Sequence, residues 1–156
     1  SGLFLQEISM APETLIGSGF LAFSVMMTLG RFLGDSISAA IGPIKIVALG
    51  ASIATVGFVF VLTTYTYMAI VGFALIGLGF SVIVPELFRI GGTVKGVDSS
   101  QGVSFIAGTG YSGFLIGPVV LGFVAESFSL KYTFVILMLC TILVLAATLG
   151  IHRRRK

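Results

Sequence analysis

Residues 46–85 read IVALGASIATVGFVFVLTTYTYMAIVGFALIGLGFSVIVP, forty residues without one charged side chain. A helix rises about 1.5 Å per residue, so about 20 residues cross the roughly 30 Å of hydrocarbon in a bilayer. This run is long enough for two crossings. Backbone polar groups must be satisfied internally in lipid, so the chain has to complete one helix, turn in a polar region and start another. The stretch Thr63-Thr64-Tyr65-Thr66-Tyr67 at the centre of the run supplies that turn. Membrane β-strands would instead alternate polar and apolar residues over segments of about ten, and this run does not.

Outward from it, the intervals from Glu13 to Arg31, Asp98 to Glu126 and Lys131 to Arg153 are also free of charge. Five membrane-spanning helices result, at about 14–34, 44–63, 67–88, 101–125 and 131–151, within a bundle covering 11–152. The whole composition agrees. Of 156 residues, 56% are hydrophobic and 10% charged, with a mean hydropathy of +1.14, whereas soluble domains carry about 25% charged residues. A free soluble globule is excluded and an all-α membrane protein is expected. Residues 1–10 have neither the basic start nor the cleavage site of a signal peptide, and read as the outer end of a preceding helix, so the chain is expected to be a carboxyl-terminal piece of a longer polytopic protein.

Basic residues set the orientation, because short loops rich in Lys and Arg stay on the cytoplasmic side. Arg31 and Lys45 flank the first turn, Arg89 and Lys95 lie near the third, and Arg153, Arg154, Arg155 and Lys156 form a basic tail at 153–156. Only Lys131 falls on the other side. The carboxyl terminus is therefore expected in the cytoplasm. Tyr65, Tyr67, Phe128 and Tyr132 then sit at the outer interface, where aromatic rings are enriched. The net charge of +3 is explained by this orientation signal, so the bilayer is the expected partner and nucleic acid is not.

Polar residues inside the spans mark the faces turned to protein or to a water-filled path. Gly17, Ser24, Thr28, Arg31 and Asp35 recur at helical spacing in the first span, and Gln101, Ser104, Gly108 and Tyr111 in the fourth. In the third, Gly72, Gly79 and Glu86 repeat every seven residues, with Pro85 interrupting the hydrogen-bond ladder. These three spans have a face suited to lining a cavity. The second and fifth carry only scattered hydroxyls, which can bond back to their own helix. Glycine is dense in the fourth span, where Gly113-x-x-x-Gly117 has the spacing of a packing face and Gly117-Pro118 offers a hinge.

Two enzyme signatures in that glycine-rich stretch do not fit their context. Gly108-Thr109-Gly110-Tyr111-Ser112-Gly113 matches the dinucleotide fingerprint, but no strand precedes it and the nearest downstream carboxylate, Glu126, follows the same helix. Gly110-Tyr111-Ser112-Gly113 resembles the serine motif of rhomboid-type proteases. That chemistry needs a histidine at the same depth, and the single histidine, His152, lies at the inner end of the fifth span while Ser112 falls near the middle of the fourth. The single Cys140 cannot form an intrachain disulfide, and no cluster of His, Cys, Asp or Glu suggests a metal. No catalytic residue, cofactor or metal ligand is assigned, and an enzyme is not expected.

At the first turn, Gly30-Arg31-Phe32-Leu33-Gly34-Asp35 followed by Gly42-Pro43-Ile44-Lys45 resembles the loop between the eighth and ninth helices of bacterial members of the major facilitator superfamily. That loop is the second copy of the family signature G-x-L-x-D-R-x-G-x-R/K-R/K. Ile37 falls at its leucine, Gly42 at its second glycine and Lys45 at its last basic position, while Asp35 stands at the first glycine and Ala39 and Ala40 replace the Asp-Arg pair. Gly77-Leu78-Gly79-Phe80-Ser81 with Pro85-Glu86-Leu87-Phe88 resembles the family's tenth helix, and Gly110 to Pro118 its eleventh. The five spans would then be helices eight to twelve of a twelve-helix fold, most of its carboxyl-terminal half.

This resemblance implies a secondary active transporter of the bacterial inner membrane, a symporter or antiporter that moves a small solute by alternating access. Its amino-terminal half would be a partner supplied by the rest of the protein. On that reading Ser24, Thr28, Ser104, Gly108 and Tyr111 are candidates for the substrate pathway. Arg31, Asp35, Glu86 and Arg89 are candidates for a cytoplasmic gate, and Gly113, Gly117 and Pro118 for helix packing or a hinge. The alternative is a non-transporting membrane scaffold or receptor of the same fold, favoured by the missing charges at Ala39 and Ala40.

Overall fold

The long apolar runs become helices because helix formation satisfies every backbone group within the segment. In the computed structural model, which describes residues 1–154, they are α2 (Ser18–Ile41), α3 (Pro43–Leu62), α4 (Thr66–Gly91), α5 (Ser99–Ser127) and α6 (Leu130–Arg154), preceded by a short α1 (Gly2–Glu7) and a single turn at Glu13–Leu15. All five long helices are long and apolar enough to cross a membrane, and no strand is present among the described residues. In the basic tail read at 153–156, Arg153 and Arg154 close α6, and the last two residues lie outside the described residues.

The largest difference from the sequence reading lies at the first turn. α2 does not stop near residue 34 but continues to Ile41. Neither Gly34 nor Asp35 ends it: the helix runs on through both, with Gly34 packed closely against Val82 of α4. The turn itself is a single residue. Gly42 has φ +88° and ψ 158°, a conformation open in practice only to glycine, and Pro43 begins α3 at the first helical position, where its missing N–H costs nothing. Arg31 and Asp35 are thereby placed inside α2, on the helix rather than in a loop.

The core lies between α4 and its two main neighbours, α3 and α2, and α6 packs against α3, with Phe134 reaching Phe73 of α4. The α3–α4 contact is built from glycines in antiparallel register. A methyl group added at Gly57 would lie 2.7 Å from the carbonyl oxygen of Gly72, and one at Gly72 would lie 2.6 Å from that of Gly57. Gly50 and Gly79 repeat the arrangement two turns along, with the Gly50 methyl 2.6 Å from the Gly79 oxygen. In lipid, helices associate by such close backbone approach rather than by hydrophobic drive. Gly72 and Gly79, read from the sequence as part of a cavity-lining face, are therefore an interface: their seven-residue repeat matches the repeat at Gly50 and Gly57.

On the α2 side, Gly30 meets the side chain of Ser81, and Gly77 meets the backbone of Phe23. At the other end of the bundle, Phe4 and Leu5 of α1 are fully buried among Phe58, Phe73 and Phe134. The Phe4 and Phe134 rings meet edge-on with centroids 4.7 Å apart. The Thr66 hydroxyl donates to the Ser9 carbonyl at 3.2 Å, fixing this segment to the start of α4.

α5 is packed differently from the rest. It touches α4 and α6 lightly and has no buried residue. Its closest approach is at Gly102, which lies against the backbone of Gly91. Gly113 and Gly117, read from the sequence as a packing face, have no atom of another element within reach of an added methyl, and the helix runs unbroken through Pro118.

Candidate functional site

α2 and α4 bring charged residues together toward the Ile41 end of α2 and the Gly91 end of α4. Arg31, Gly34 and Asp35 of α2 and Ser81, Val82, Pro85 and Glu86 of α4 line a cavity of about 180 Å³. The helices approach closely here because Gly30 and Gly34 have no side chains to hold them apart. Pro85 has no N–H to give to the carbonyl of Ser81, so one acceptor of the α4 ladder is freed on this wall. The Ser81 hydroxyl donates to the Leu78 carbonyl at 2.6 Å.

Glu86 is the residue that sets the energetics. It is 4% exposed, and a carboxylate buried to that degree is costly unless it is paired and fully hydrogen-bonded. Its Oε1 lies 3.7 Å from Nη1 of Arg89, three residues along the same helix. Its Oε2 is buried and has no hydrogen-bond partner. The same Arg89 nitrogen donates to the hydroxyl of Ser38 on α2 at 3.0 Å. The guanidinium is thus shared between two helices, and the carboxylate is only half satisfied.

Arg31 lines the cavity too, yet among the described residues the one ion pair is Arg89–Glu86. The polar contact of Arg31 is a weak one from Nη2 to Sδ of Met27 at 3.9 Å. Asp35 is exposed on the same wall. Of the four sequence-derived gate candidates, Arg31, Asp35 and Glu86 share the cavity, and Arg89 reaches it through Glu86. The cluster carries two positive and two negative charges, and two of the four remain uncommitted.

The five pathway candidates are spread over two helices. Thr28 donates back to the Ser24 carbonyl at 2.9 Å, which satisfies its hydroxyl within α2, and Ser24 is half-buried. Ser104, Gly108 and Tyr111 lie on α5 and are exposed. Tyr111, 75% exposed, borders a cavity of about 770 Å³ between α4 and α5, together with Val84, Leu87, Phe88, Ile106 and Phe114. Ser104 and Gly108 are not among its walls. The residue that sequence reasoning missed is Ser38, buried at 1% exposure. Its signal was present in Gly30-x-x-x-Gly34-x-x-x-Ser38, a repeat of small residues that marks a packing face. The described residues contain no group of His, Cys, Asp and Glu able to hold a metal ion.

Residues 2–156 match the family model described as Major Facilitator Superfamily. "Membrane protein MosC" of Rhizobium meliloti is 31% identical over 160 residues, covering 99% of this chain and 38% of that protein. An "Uncharacterized MFS-type transporter" of Yersinia pestis is 32% identical over 154 residues, covering 98% of this chain and 40% of that protein. The chain thus spans about two-fifths of the length of these relatives. No solved structure matches it significantly.

Proposed function

The chain belongs to the Major Facilitator Superfamily, and from that premise we propose that it forms part of a secondary active transporter that moves a small solute by alternating access. In this reading α2 to α6 are helices eight to twelve of a twelve-helix carrier in a bacterial inner membrane. The end carrying Arg89, Lys95 and the basic tail faces the cytoplasm, in keeping with the distribution of basic residues. The rest of the carrier completes the substrate path, to which Ser24, Thr28, Ser104, Gly108 and Tyr111 contribute from this chain. Binding and conformational change carry the activity, without cofactor or catalytic chemistry.

The observation that carries this reading is the small cavity where Arg31 and Asp35 of α2 meet Glu86 of α4. Charges within a membrane bundle are expensive and are kept where they are used. Here Glu86, with one oxygen unpartnered, and Arg31 line the same cavity without pairing to each other. A gate needs groups that can exchange partners between conformations, and a fully paired network would have to break strong contacts to move. Closing the inner gate pairs Arg31 and Asp35 with neighbouring charges, and opening it separates them.

Arg31→Gln and Asp35→Asn, made singly in the full-length protein, should each lower uptake into membrane vesicles by about tenfold or more. Wild-type uptake in both variants would remove this gate. The second reading, a non-transporting scaffold or receptor, draws on Ala39 and Ala40, which bring no charge to the exposed end of α2. It would gain if the wild-type protein moved no candidate solute above the background of empty vesicles.

A further inference from the structure

We propose that Ser38 is a positioning residue for the inner charge cluster, a latch that holds α2 to α4 by fixing the guanidinium of Arg89 between them. The proposal rests on the gate reading above and assigns it a member that neither charge nor family pattern marks. Ser38 is 1% exposed, and its hydroxyl accepts from Arg89 Nη1 at 3.0 Å across 51 positions of sequence. Among the described residues this is the side-chain hydrogen bond that joins α2 to α4; the hydroxyls of Ser18, Thr28 and Ser81 bond to carbonyls of nearby residues and that of Thr66 to Ser9. Apolar contact between membrane helices gains little from the hydrophobic effect, so one polar tie carries weight at a helix end. Ala39 and Ala40, the next two residues, are exposed and uncharged, so no other tie is available there.

The same bond sets the state of Glu86. Because Ser38 draws the arginine toward α2, Arg89 remains 3.7 Å from Glu86 Oε1, beyond the usual 2.7–2.9 Å of a charge-assisted hydrogen bond. The carboxylate is held loosely, and its Oε2 stays buried without a hydrogen-bond partner in a residue that lines the same cavity as Arg31. Without Ser38, Arg89 has one partner left, Glu86 on its own helix. The cross-helix tie is lost, and the cavity opens toward the cytoplasm.

The test is thiol accessibility in the full-length protein, with Val82→Cys on the cavity wall as reporter, Cys140→Ser included and other cysteines removed. A membrane-impermeant methanethiosulfonate reagent is applied from the cytoplasmic side of inverted vesicles. Ser38→Ala should raise the rate of modification at position 82 by about tenfold, and Ser38→Thr, which keeps the hydroxyl, should stay within twofold of the parent. Arg89→Gln should raise the rate alone, and adding Ser38→Ala to it should produce no further rise. Equal rates in the parent and Ser38→Ala, equal acceleration by alanine and threonine, or full additivity with Arg89→Gln would each overturn the latch. If Ser38→Ala does not fold, an unchanged rate in folded Arg89→Gln overturns it instead. The assay needs no transported solute, so background uptake by the parent would sink the transporter reading while the labelling rates decide the latch separately.

Discussion

α4 and α5 are helices of similar length, each with one proline inside it and each rich in glycine. In α4, Gly72, Gly77 and Gly79 are buried, and an added methyl at any of them would strike the backbone of a neighbouring helix. In α5, Gly108, Gly110, Gly113, Gly117 and Gly122 would accept a methyl without touching anything. The glycines are chemically the same; what separates them is whether a neighbouring helix brings its backbone against them. Gly50 and Gly57 of α3 do so for α4, and α5 has only Gly91 opposite its own Gly102. Glycine content therefore measures the capacity for close approach, and pairing in space decides whether that capacity is used.

The most severe way to break the comparison is at the α3–α4 contact. Gly57→Leu places a branched side chain where a single methyl already lies 2.7 Å from a carbonyl oxygen. Overpacking of a tight core costs about 1–3 kcal/mol or more, and because the obstacle is backbone the upper end is expected. Yield of folded, detergent-soluble protein should collapse, and a normal yield and melting temperature would show that this interface separates easily.

A smaller loss is expected from Arg89→Ala, which leaves both oxygens of the buried Glu86 without a cation. The arginine side chain is 55% exposed, so the solvent-screened cost is about 1–2 kcal/mol. It would register as a lower melting temperature, and adding Glu86→Gln should recover most of the loss. No recovery in the double variant would mean that Arg89 stabilises through Ser38 alone. The smallest effect belongs to α5. Gly113→Ala should leave melting unchanged or raise it slightly, because alanine favours helix by up to about 1 kcal/mol and meets no neighbour in this chain. A clear destabilisation in the full-length protein would reveal a helix packed on Gly113 from outside these 156 residues.

The spans were legible because crossing a bilayer imposes a length and a lack of charge that are properties of local sequence. The end of α2 was not. The sequence places the end of this span near residue 34, but α2 runs on to Ile41 past Gly34, which packs against Val82, distant in sequence. Charge spacing brought Arg31, Asp35, Glu86 and Arg89 into view as a set, but the pairing of Arg89 with Ser38 depends on how two helices sit against each other. A buried serine carries no charge to draw attention to it.

By itself, the sequence determined that the chain is a membrane protein of five long helices, which end bears the basic residues, and which family its motifs resemble. Each follows from hydropathy, charge or residue order along one strand of chain. Only the tertiary structure decided that Gly72 and Gly79 form an interface instead of a cavity face. Only there does Glu86 keep one oxygen unpaired beside Arg31, and only there does Ser38 hold Arg89. Close packing and hydrogen bonding act over a few ångströms between residues far apart in the chain, so they depend on register and crossing geometry that no single helix encodes.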